Sequence, residues 1–132
     1  MLKLTKKFEY GLLAIRYIAQ TRNGDIATAK EIADKSGISY ELVAKILQQL
    51  TKAEIVSSVQ GVKGGYRLNK PASQISFTEI ADAIDEPIQL IDCADNPNGC
   101  AAFSGCGIKK PLTEIQTRFR EIFSEATVAE IL

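Results

Sequence analysis

Two short amphipathic segments joined by a glycine turn constrain the fold of this chain most. Thr28 and Glu31 have the spacing of a capping box, in which two side chains satisfy each other's backbone N–H groups at a helix start. The helix that they begin stops at Gly37, because glycine allows the left-handed backbone of a tight turn. Ser39 then caps a second helix that runs for about three turns. A helix, a short glycine turn and a second helix form the helix-turn-helix pattern.

The second of these helices has one apolar face and one polar face. The apolar residues recur at helical spacing and predict a stripe that faces the core: Leu42, Val43, Ile46, Leu47 and Leu50. The opposite face carries four polar residues: Glu41, Lys45, Gln48 and Lys52. In DNA-binding proteins such a helix enters the major groove, but an ordinary helical hairpin with a solvated face has the same pattern. On its own, the pattern leaves both interpretations open.

The residues that follow predict a β-hairpin. Residues 55–60 are rich in β-branched side chains that alternate with polar ones, residues 61–65 contain three glycines, and residues 66–68 form a second short strand. A hairpin directly after a helix-turn-helix is a wing, from which Lys63 and Arg67 can reach phosphates or the minor groove. A nucleotide-binding loop is excluded, because no helix and no Lys-Ser or Lys-Thr pair follows the glycines.

Charge divides the chain into two halves. Residues 1–70 hold 12 Lys or Arg and 6 Asp or Glu, whereas residues 71–132 hold 4 and 10. A basic half next to an acidic half favours a polyanion as the partner of the first half only.

Together, the helix-turn-helix, the hairpin and the charge division predict a mainly α fold, with a winged helix-turn-helix DNA-binding domain in residues 1–70. Residues 71–132 are predicted to hold a cysteine sensor loop and a dimerisation helix.

The acidic half predicts a short helix and a long helix on either side of that loop. Ser76 and Glu79 form a second capping box, Pro87 ends the short helix, and Pro111 lies in the first turn of the long one. The long helix carries one apolar stripe: Leu112, Ile115, Phe119, Ile122 and Phe123. Its own domain or a partner subunit can cover this stripe. Because a helix-turn-helix reader needs a second copy to span two half-sites, we predict a homodimer through residues 111–124.

All three cysteines of the chain, Cys93, Cys100 and Cys106, lie within fourteen residues. The Gly, Pro, Asn and Asp residues around them favour a loop, which can fold three thiolates around one point. Three soft ligands suit iron–sulfur or zinc chemistry and leave one coordination position for another group. An odd number of cysteines argues against a disulfide framework. The N-terminal residues lack a secretory pattern, so we expect a cytoplasmic protein with reduced thiols.

Other functional classes have less support. No apolar run approaches ~18 residues, so we expect no membrane span. The chain has no histidine, no Ser-Lys or Cys-His constellation and no nucleotide fingerprint, so we expect neither an enzyme nor a small-molecule substrate. An electron carrier or a cluster-transfer scaffold would explain the cysteines but would leave the wing and the basic half without a purpose.

Essentially the whole chain resembles the Rrf-type bacterial transcription regulators, and among them the members that bind an iron–sulfur cluster. The resemblance rests on the helix-turn-helix, the wing Val-Gln-Gly-Val-Lys-Gly-Gly-Tyr-Arg-Leu, the segment Ile-Ser-Phe-Thr-Glu-Ile, the spaced cysteines and the long helix. The Gly-Gly-Tyr wing is fairly specific for the family, and the cysteine triplet for its cluster-binding members. The tail, residues 127–132, is similar to the branch that controls iron–sulfur cluster assembly genes.

The resemblance implies that the three cysteines ligate a [2Fe-2S] cluster, with a [4Fe-4S] cluster of the nitric-oxide-sensing branch as the alternative. Many relatives have a shorter first cysteine spacing and a histidine beyond the third cysteine as fourth ligand, which this chain lacks. In the nitric-oxide branch an acidic residue in the first helix of the other subunit ligates, and Glu9 occupies the matching place. Asp92 and Asp95 are competing ligands, and a solvent-facing carboxylate near a helix start is the alternative for Glu9.

The resemblance also implies which residues meet DNA, since Ser39, Tyr40, Glu41 and Lys45 match base- or phosphate-facing positions of the family. Tyr40 has the alternative of a core aromatic at the helix start. Gln60 stands where relatives often have arginine; it lacks the charge-assisted fork of arginine, which implies a different operator preference. The full predicted DNA-binding set is Thr28, Ser39, Tyr40, Glu41, Lys45, Gln48, Gln60, Lys63 and Arg67.

The resulting expectation is a homodimeric regulator that binds a double-stranded DNA operator under control of an iron–sulfur cluster. Its expected targets are genes of iron–sulfur cluster assembly or of redox and nitric-oxide stress. A zinc- or thiol-based redox sensor that binds DNA is the alternative.

Overall fold

The computed structural model describes residues 2–21, 26–91 and 105–132. Within these ranges the elements follow in the order α1 Lys6–Gln20, α2 Ala29–Ser36, α3 Tyr40–Lys52, β1 Val56–Val59, β2 Gly65–Leu68, α4 Phe77–Ala83 and α5 Lys109–Glu125. Two 3-10 turns, Ala72–Gln74 and Val128–Ile131, precede α4 and follow α5. This order confirms the predicted mainly α architecture with a helix-turn-helix, a hairpin wing and a long last α-helix.

Side-chain caps explain where the helices begin. A hydroxyl accepts a backbone N–H at the start of each of the first four helices, from Thr5, Thr28, Ser39 and Ser76. At α4 both bonds of the predicted capping box form, and Lys70 donates to the Glu79 carboxylate at 2.5 Å. Burial on its own raises the pKa of the Glu79 carboxyl, but hydrogen bonds from Lys70 and Ser76 outweigh it and hold that pKa below its ordinary value.

The core lies where α1, α3, α4 and the last 3-10 turn meet. The Ser76 and Thr127 backbones form an antiparallel bridge, in which the Val128 N–H donates to the Ile75 carbonyl at 3.0 Å. Both halves of the chain contribute to one cluster of buried side chains, which includes Ile15, Ile46, Leu47, Ile75, Ile80, Ile84 and Val128. Because the two halves share this core, the division into residues 1–70 and 71–132 does not separate two hydrophobic cores. The assignment of DNA binding to one half and of sensing to the other stays a prediction.

Three phenylalanine rings attach α5 to this core. Phe8 on α1 lies 6.1 Å from Phe77 on α4 and 6.5 Å from Phe123 on α5, measured between ring centroids. Phe77 and Phe123 are also 6.1 Å apart. The two contacts of Phe8 are edge-to-face, the arrangement that aromatic pairs favour. The C-terminal half of α5 is thus held against the same helices that support the helix-turn-helix.

The wing is fixed to the start of α2 by backbone pairing that the sequence pattern does not predict. Strands β1 and β2 pair antiparallel, with Val56 opposite Leu68. Ala27 extends this hairpin, because its N–H donates to the Tyr66 carbonyl at 3.0 Å and its carbonyl accepts from the Tyr66 N–H at 2.8 Å. A Cβ at Gly65 would lie 2.7 Å from the Ala27 carbonyl oxygen and would collide with Ile26. Only glycine allows this close approach.

Gly65→Ala is therefore expected to destabilise the protein by roughly 1–3 kcal/mol, because the backbone of β2 must move away from Ala27. Urea denaturation measures the change. Gly107→Ala is the matched control, since a Cβ at Gly107 meets no atom within 4 Å. Equal free energies of unfolding for the two variants would show that the close approach of Gly65 does not hold the wing.

Candidate nucleic-acid interface and sensor loop

The outer face of α3 is exposed as predicted. Its buried residues are Val43, Ile46, Leu47 and Leu50, and its exposed ones include Glu41, Lys45, Gln48 and Lys52. Tyr40, at the start of the helix, is 58% exposed, so the alternative of a core aromatic is wrong. The face therefore presents an aromatic hydroxyl, a carboxylate, an amide and two ammonium groups, which are groups that read base edges and phosphates.

Two hydroxyls of the predicted DNA surface are helix caps. The Thr28 hydroxyl accepts the Glu31 N–H at 3.0 Å, and the Ser39 hydroxyl accepts the Leu42 N–H at 3.3 Å. A hydroxyl has one donor and two acceptor positions, so a cap that accepts can still donate its proton to a phosphate. Both residues also lie at helix N-termini, where the backbone favours anions. The starts of α2 and α3 thus supply two places where phosphates can bind.

The wing presents three of the predicted residues to solvent. Gln60 and Lys63 lie in the turn, Arg67 lies on β2, and all three are exposed. Val62 at the tip is also fully exposed, although it is not among the predicted DNA-binding residues. The sequence indicates this exposure by the place of Val62 between the glycines of the turn, because a side chain at the tip of a hairpin has no core to pack against. Apolar side chains on such tips can contact the sugars or the base steps of a minor groove.

Of the predicted metal ligands, only Cys106 and Glu9 lie in the described part of the chain. Cys93 and Cys100, and the competing ligands Asp92 and Asp95, lie outside the described residues. Cys106 is a free, partly exposed thiol three residues before α5. Among residues 2–21, 26–91 and 105–132, no three His, Cys, Asp or Glu side chains are grouped as a metal site. A three-thiolate centre therefore needs Cys93 and Cys100, and its soft donor set suits iron–sulfur or zinc.

Glu9 lies in the first turn of α1 and pairs with Lys6, whose ammonium nitrogen is 3.1 Å from its carboxylate. This hydrogen bond raises the pKa of the Lys6 ammonium. Both side chains are solvent-facing in the single chain, and an exposed ion pair of this kind contributes little to stability. The carboxylate is therefore accessible to a second subunit, and its role as a fourth ligand stays a prediction.

Residues 88–91, called the strap here, are hydrogen-bonded to α5. They come just before residues 92–106, called the cysteine-containing stretch. The amide oxygen of Gln116 accepts the N–H groups of Leu90 and Ile91, at 2.8 and 3.0 Å. Arg120 donates to the Ile88 carbonyl at 3.0 Å. Gln116 is only 3% exposed and is the one buried polar side chain among the described residues. The apolar pattern of α5 does not predict this role, and the available signal is the place of Gln116 between Leu112 and Phe119 on the apolar face.

The predicted single apolar stripe of α5 is wrong in one respect, because it divides into two neighbouring strips. The inner strip is Leu112, Gln116, Phe119 and Phe123, and its apolar members are partly buried. The outer strip has a seven-residue repeat: Ile108 is 64% exposed, Ile115 is 42% and Ile122 is 59%. At 100° per residue the two strips are about 70° apart around the helix. One strip packs on the chain itself, and the other remains largely exposed in the described part of the chain.

No helix in the described part of the chain is long and apolar enough to cross a membrane.

Comparison with solved structures shows the same fold. The cysteine regulator CymR (YrzC) of B. subtilis is 21% identical with a TM-score of 0.78, and the match covers 99% of this chain and 96% of that one. IscR of T. potens is 25% identical with a TM-score of 0.77, covering 98% and 85%. The oxidised form of CymR from Staphylococcus aureus is 24% identical with a TM-score of 0.73, covering 96% and 93%.

A family model described as an iron-dependent transcriptional regulator matches residues 4–132. The match includes the helix-turn-helix, the wing, the strap and α5. Members of this family are transcription regulators and not enzymes. The chain therefore belongs to the Rrf2 family of transcription regulators.

Proposed function

We propose that this regulator binds its operator as a homodimer and that an iron–sulfur cluster on Cys93, Cys100 and Cys106 controls the binding. The observation that carries the proposal is the attachment of the cysteine-containing stretch to α5 at both ends. The strap is bonded to Gln116 immediately before it, and Cys106 lies three residues before the first turn of α5. A change in this stretch therefore acts on the helix that also carries the exposed outer strip.

The donor set supports iron–sulfur chemistry. Three thiolates suit an iron–sulfur cluster or zinc, and the description of the family model as iron-dependent favours the cluster. When bound, a cluster supplies a centre that oxygen, nitric oxide or iron starvation can destroy. We favour [2Fe-2S] over [4Fe-4S] and assign the fourth position to Glu9 of the second copy, whose carboxylate is solvent-facing. We place the protein in the cytoplasm, where thiols stay reduced and operators are accessible.

The DNA-binding half acts through α3 and the wing. We assign Tyr40, Glu41 and Gln48 to base edges in the major groove, because they are exposed on the outer face of α3. Lys45 and the caps Thr28 and Ser39 are assigned to phosphates, by charge and by hydrogen bonding respectively. On the wing, Lys63 and Arg67 also contact the backbone and Gln60 reads the minor-groove edge. Two copies place two α3 helices on successive half-sites.

The cluster can control DNA binding because α5 connects the cysteine-containing stretch to the helices that support α3. Phe123 of α5 contacts Phe8 of α1 and Phe77 of α4, and both of these helices pack against α3. A cluster that binds one arrangement of α5 better than another shifts the separation or the orientation of the two α3 helices. Such a ligand changes DNA affinity only through its differential binding to the two arrangements. The expected targets are genes of iron–sulfur cluster assembly or of redox and nitric-oxide stress.

The test is purification without oxygen, followed by removal of the cluster from half of the sample. We expect a brown protein with visible absorption and with iron and inorganic sulfide in stoichiometric amounts. Operator affinity, measured across a promoter library, is expected to differ between loaded and stripped protein by about 5–150-fold. It should also fall steeply with salt, which an electron carrier would not show. A colourless protein, or equal affinities on every promoter, would contradict the proposal.

A thiol switch without a cluster is the second candidate. The S. aureus CymR neighbour was solved in an oxidised form, and Cys106 of this chain is a free, partly exposed thiol. Zinc in place of iron belongs to the same alternative. Stoichiometric zinc in a colourless protein, or an operator affinity that changes with peroxide and recovers with a thiol reductant, would favour this candidate.

A further inference from the structure

Gln116 occupies an unusual place in α5. The helix has one buried residue, and that residue is a glutamine that lies among Leu112, Phe119 and Phe123 on the inner strip. The large majority of buried side-chain polar atoms in proteins are hydrogen-bonded. Here one amide oxygen accepts two N–H groups of the strap, from Leu90 and Ile91. The strap is an irregular segment, so without Gln116 these two partly buried donors would lose their acceptor.

We propose that Gln116 is a positioning residue, whose amide oxygen fixes the strap to α5 and so transmits the state of the cysteine-containing stretch to that helix. The inference rests on the proposed function. The C-terminal end of that stretch is tied to α5 by the chain itself, because Cys106 lies three residues before Lys109. At the N-terminal end, the backbone N–H groups of Leu90 and Ile91 are bonded to the Gln116 side chain of α5. Because both ends are fixed to one helix, we expect a rearrangement between them to act on α5.

Arg120 provides a second point of attachment, at the beginning of the strap. Its guanidinium donates to the Ile88 carbonyl one turn further along α5. Ile88 also packs against the core, so the beginning of the strap is held by more than one contact. At Leu90 and Ile91, the residues nearest the cysteines, the side chain of Gln116 is the acceptor of both backbone donors. The position next to the proposed sensor therefore depends on Gln116 in particular.

Two substitutions separate hydrogen bonding from packing. Gln116→Leu keeps nearly the same volume and removes the acceptor, whereas Gln116→Glu keeps an oxygen that accepts both N–H groups. Thr117→Val is the control, because Thr117 is the exposed neighbour and its hydroxyl donates to the Thr113 carbonyl within α5. Hydrogen exchange at the amides of Leu90 and Ile91 reports the attachment directly. We expect roughly tenfold faster exchange in Gln116→Leu and near-normal exchange in Gln116→Glu and Thr117→Val.

The second measurement is the ratio of operator affinities between cluster-loaded and cluster-stripped protein. We expect Gln116→Leu to bring this ratio to within about twofold of one while it leaves the affinity of stripped protein unchanged, and Gln116→Glu to restore the ratio. A merely structural residue would lower both affinities together. Fast exchange in Gln116→Leu with an unchanged ratio would overturn this inference alone. A ratio of one in the unaltered protein would instead overturn the proposed function, and unchanged exchange would remove the attachment itself.

Discussion

Serine in place of Cys93, Cys100 and Cys106 is expected to abolish cluster binding and to change operator affinity by about 5–150-fold, which corresponds to about 1–3 kcal/mol of coupling. The physical reason is that a hydroxyl is a hard, mostly protonated donor, whereas iron–sulfur clusters are held by thiolates. The visible absorption of anaerobic protein and an operator gel shift measure the two effects. In cells, promoter occupancy should no longer differ between aerobic and iron-poor growth.

Single serine variants sharpen this test. Each of the three is expected to give most of the effect of the triple variant, because ligands of one cluster act as a unit and their losses do not add. The stripped, unaltered protein is the internal control, and its operator affinity should equal that of the triple variant. If one position could be replaced without loss of absorption, that cysteine would not be a ligand. If the triple variant kept a cluster-like spectrum, the proposed site itself would be wrong.

Glu9→Gln extends the same experiment to the fourth ligand. It is expected to shift the cluster spectrum and to speed cluster loss, since the charged oxygen donor from the second copy is removed. Lys6→Gln is the matched variant, because it breaks the ion pair with Glu9 and keeps the carboxylate. Equal spectra for the unaltered protein and both variants would show that Glu9 is a solvent-facing carboxylate and not a ligand. Asp92 and Asp95 would then be the remaining candidates for the fourth ligand.

The local parts of this fold could be predicted from the sequence because local chemistry determines them. The hydroxyl caps at Thr28, Ser39 and Ser76 satisfy backbone donors within three residues, so they can be recognised without any tertiary information. The buried face of α3 follows from its helical spacing in the same way. The exposed position of Tyr40 could not be decided locally, since a tyrosine at a helix start packs inward or outward according to its neighbours in space.

Long-range pairing accounts for what the sequence analysis missed. The bridge between Ala27 and Tyr66 joins residues 39 positions apart through backbone atoms, which leave no side-chain pattern. The only trace was Gly65, whose missing Cβ allows the approach. Gln116 is a similar case, because a polar residue on the apolar face of a helix only interrupts the hydrophobic pattern. Its role becomes visible when the backbone N–H groups that it accepts are known. The candidate site could therefore be predicted only in part: the proposed DNA-facing residues follow from local sequence patterns, and the contacts of the strap with α5 do not.

Ile115→Glu together with Ile122→Glu is expected to convert the protein to a monomer and to lower operator affinity by at least ~100-fold. The outer strip exposes Ile108 at the cap of α5 and Ile115 and Ile122 on the helix, at the seven-residue spacing by which two helices pack along their length. Two buried carboxylates per chain would have no partners in such an interface, so the cost of their burial prevents association. A monomer contacts one half-site and loses the effective concentration of the second, which is worth 10²–10⁴ in avidity.

Thr117→Glu together with Ser124→Glu is the matched control, because it adds the same charges at the same spacing on a different exposed face of α5. We expect the control to remain a dimer by analytical ultracentrifugation, while both double variants keep their core and unfold cooperatively. A monomeric control would place the interface elsewhere on the helix. If Ile115→Glu with Ile122→Glu stayed dimeric and bound the operator normally, the outer strip would not be the contact between subunits. The path from the cysteines through α5 to the two α3 helices would then need another interface.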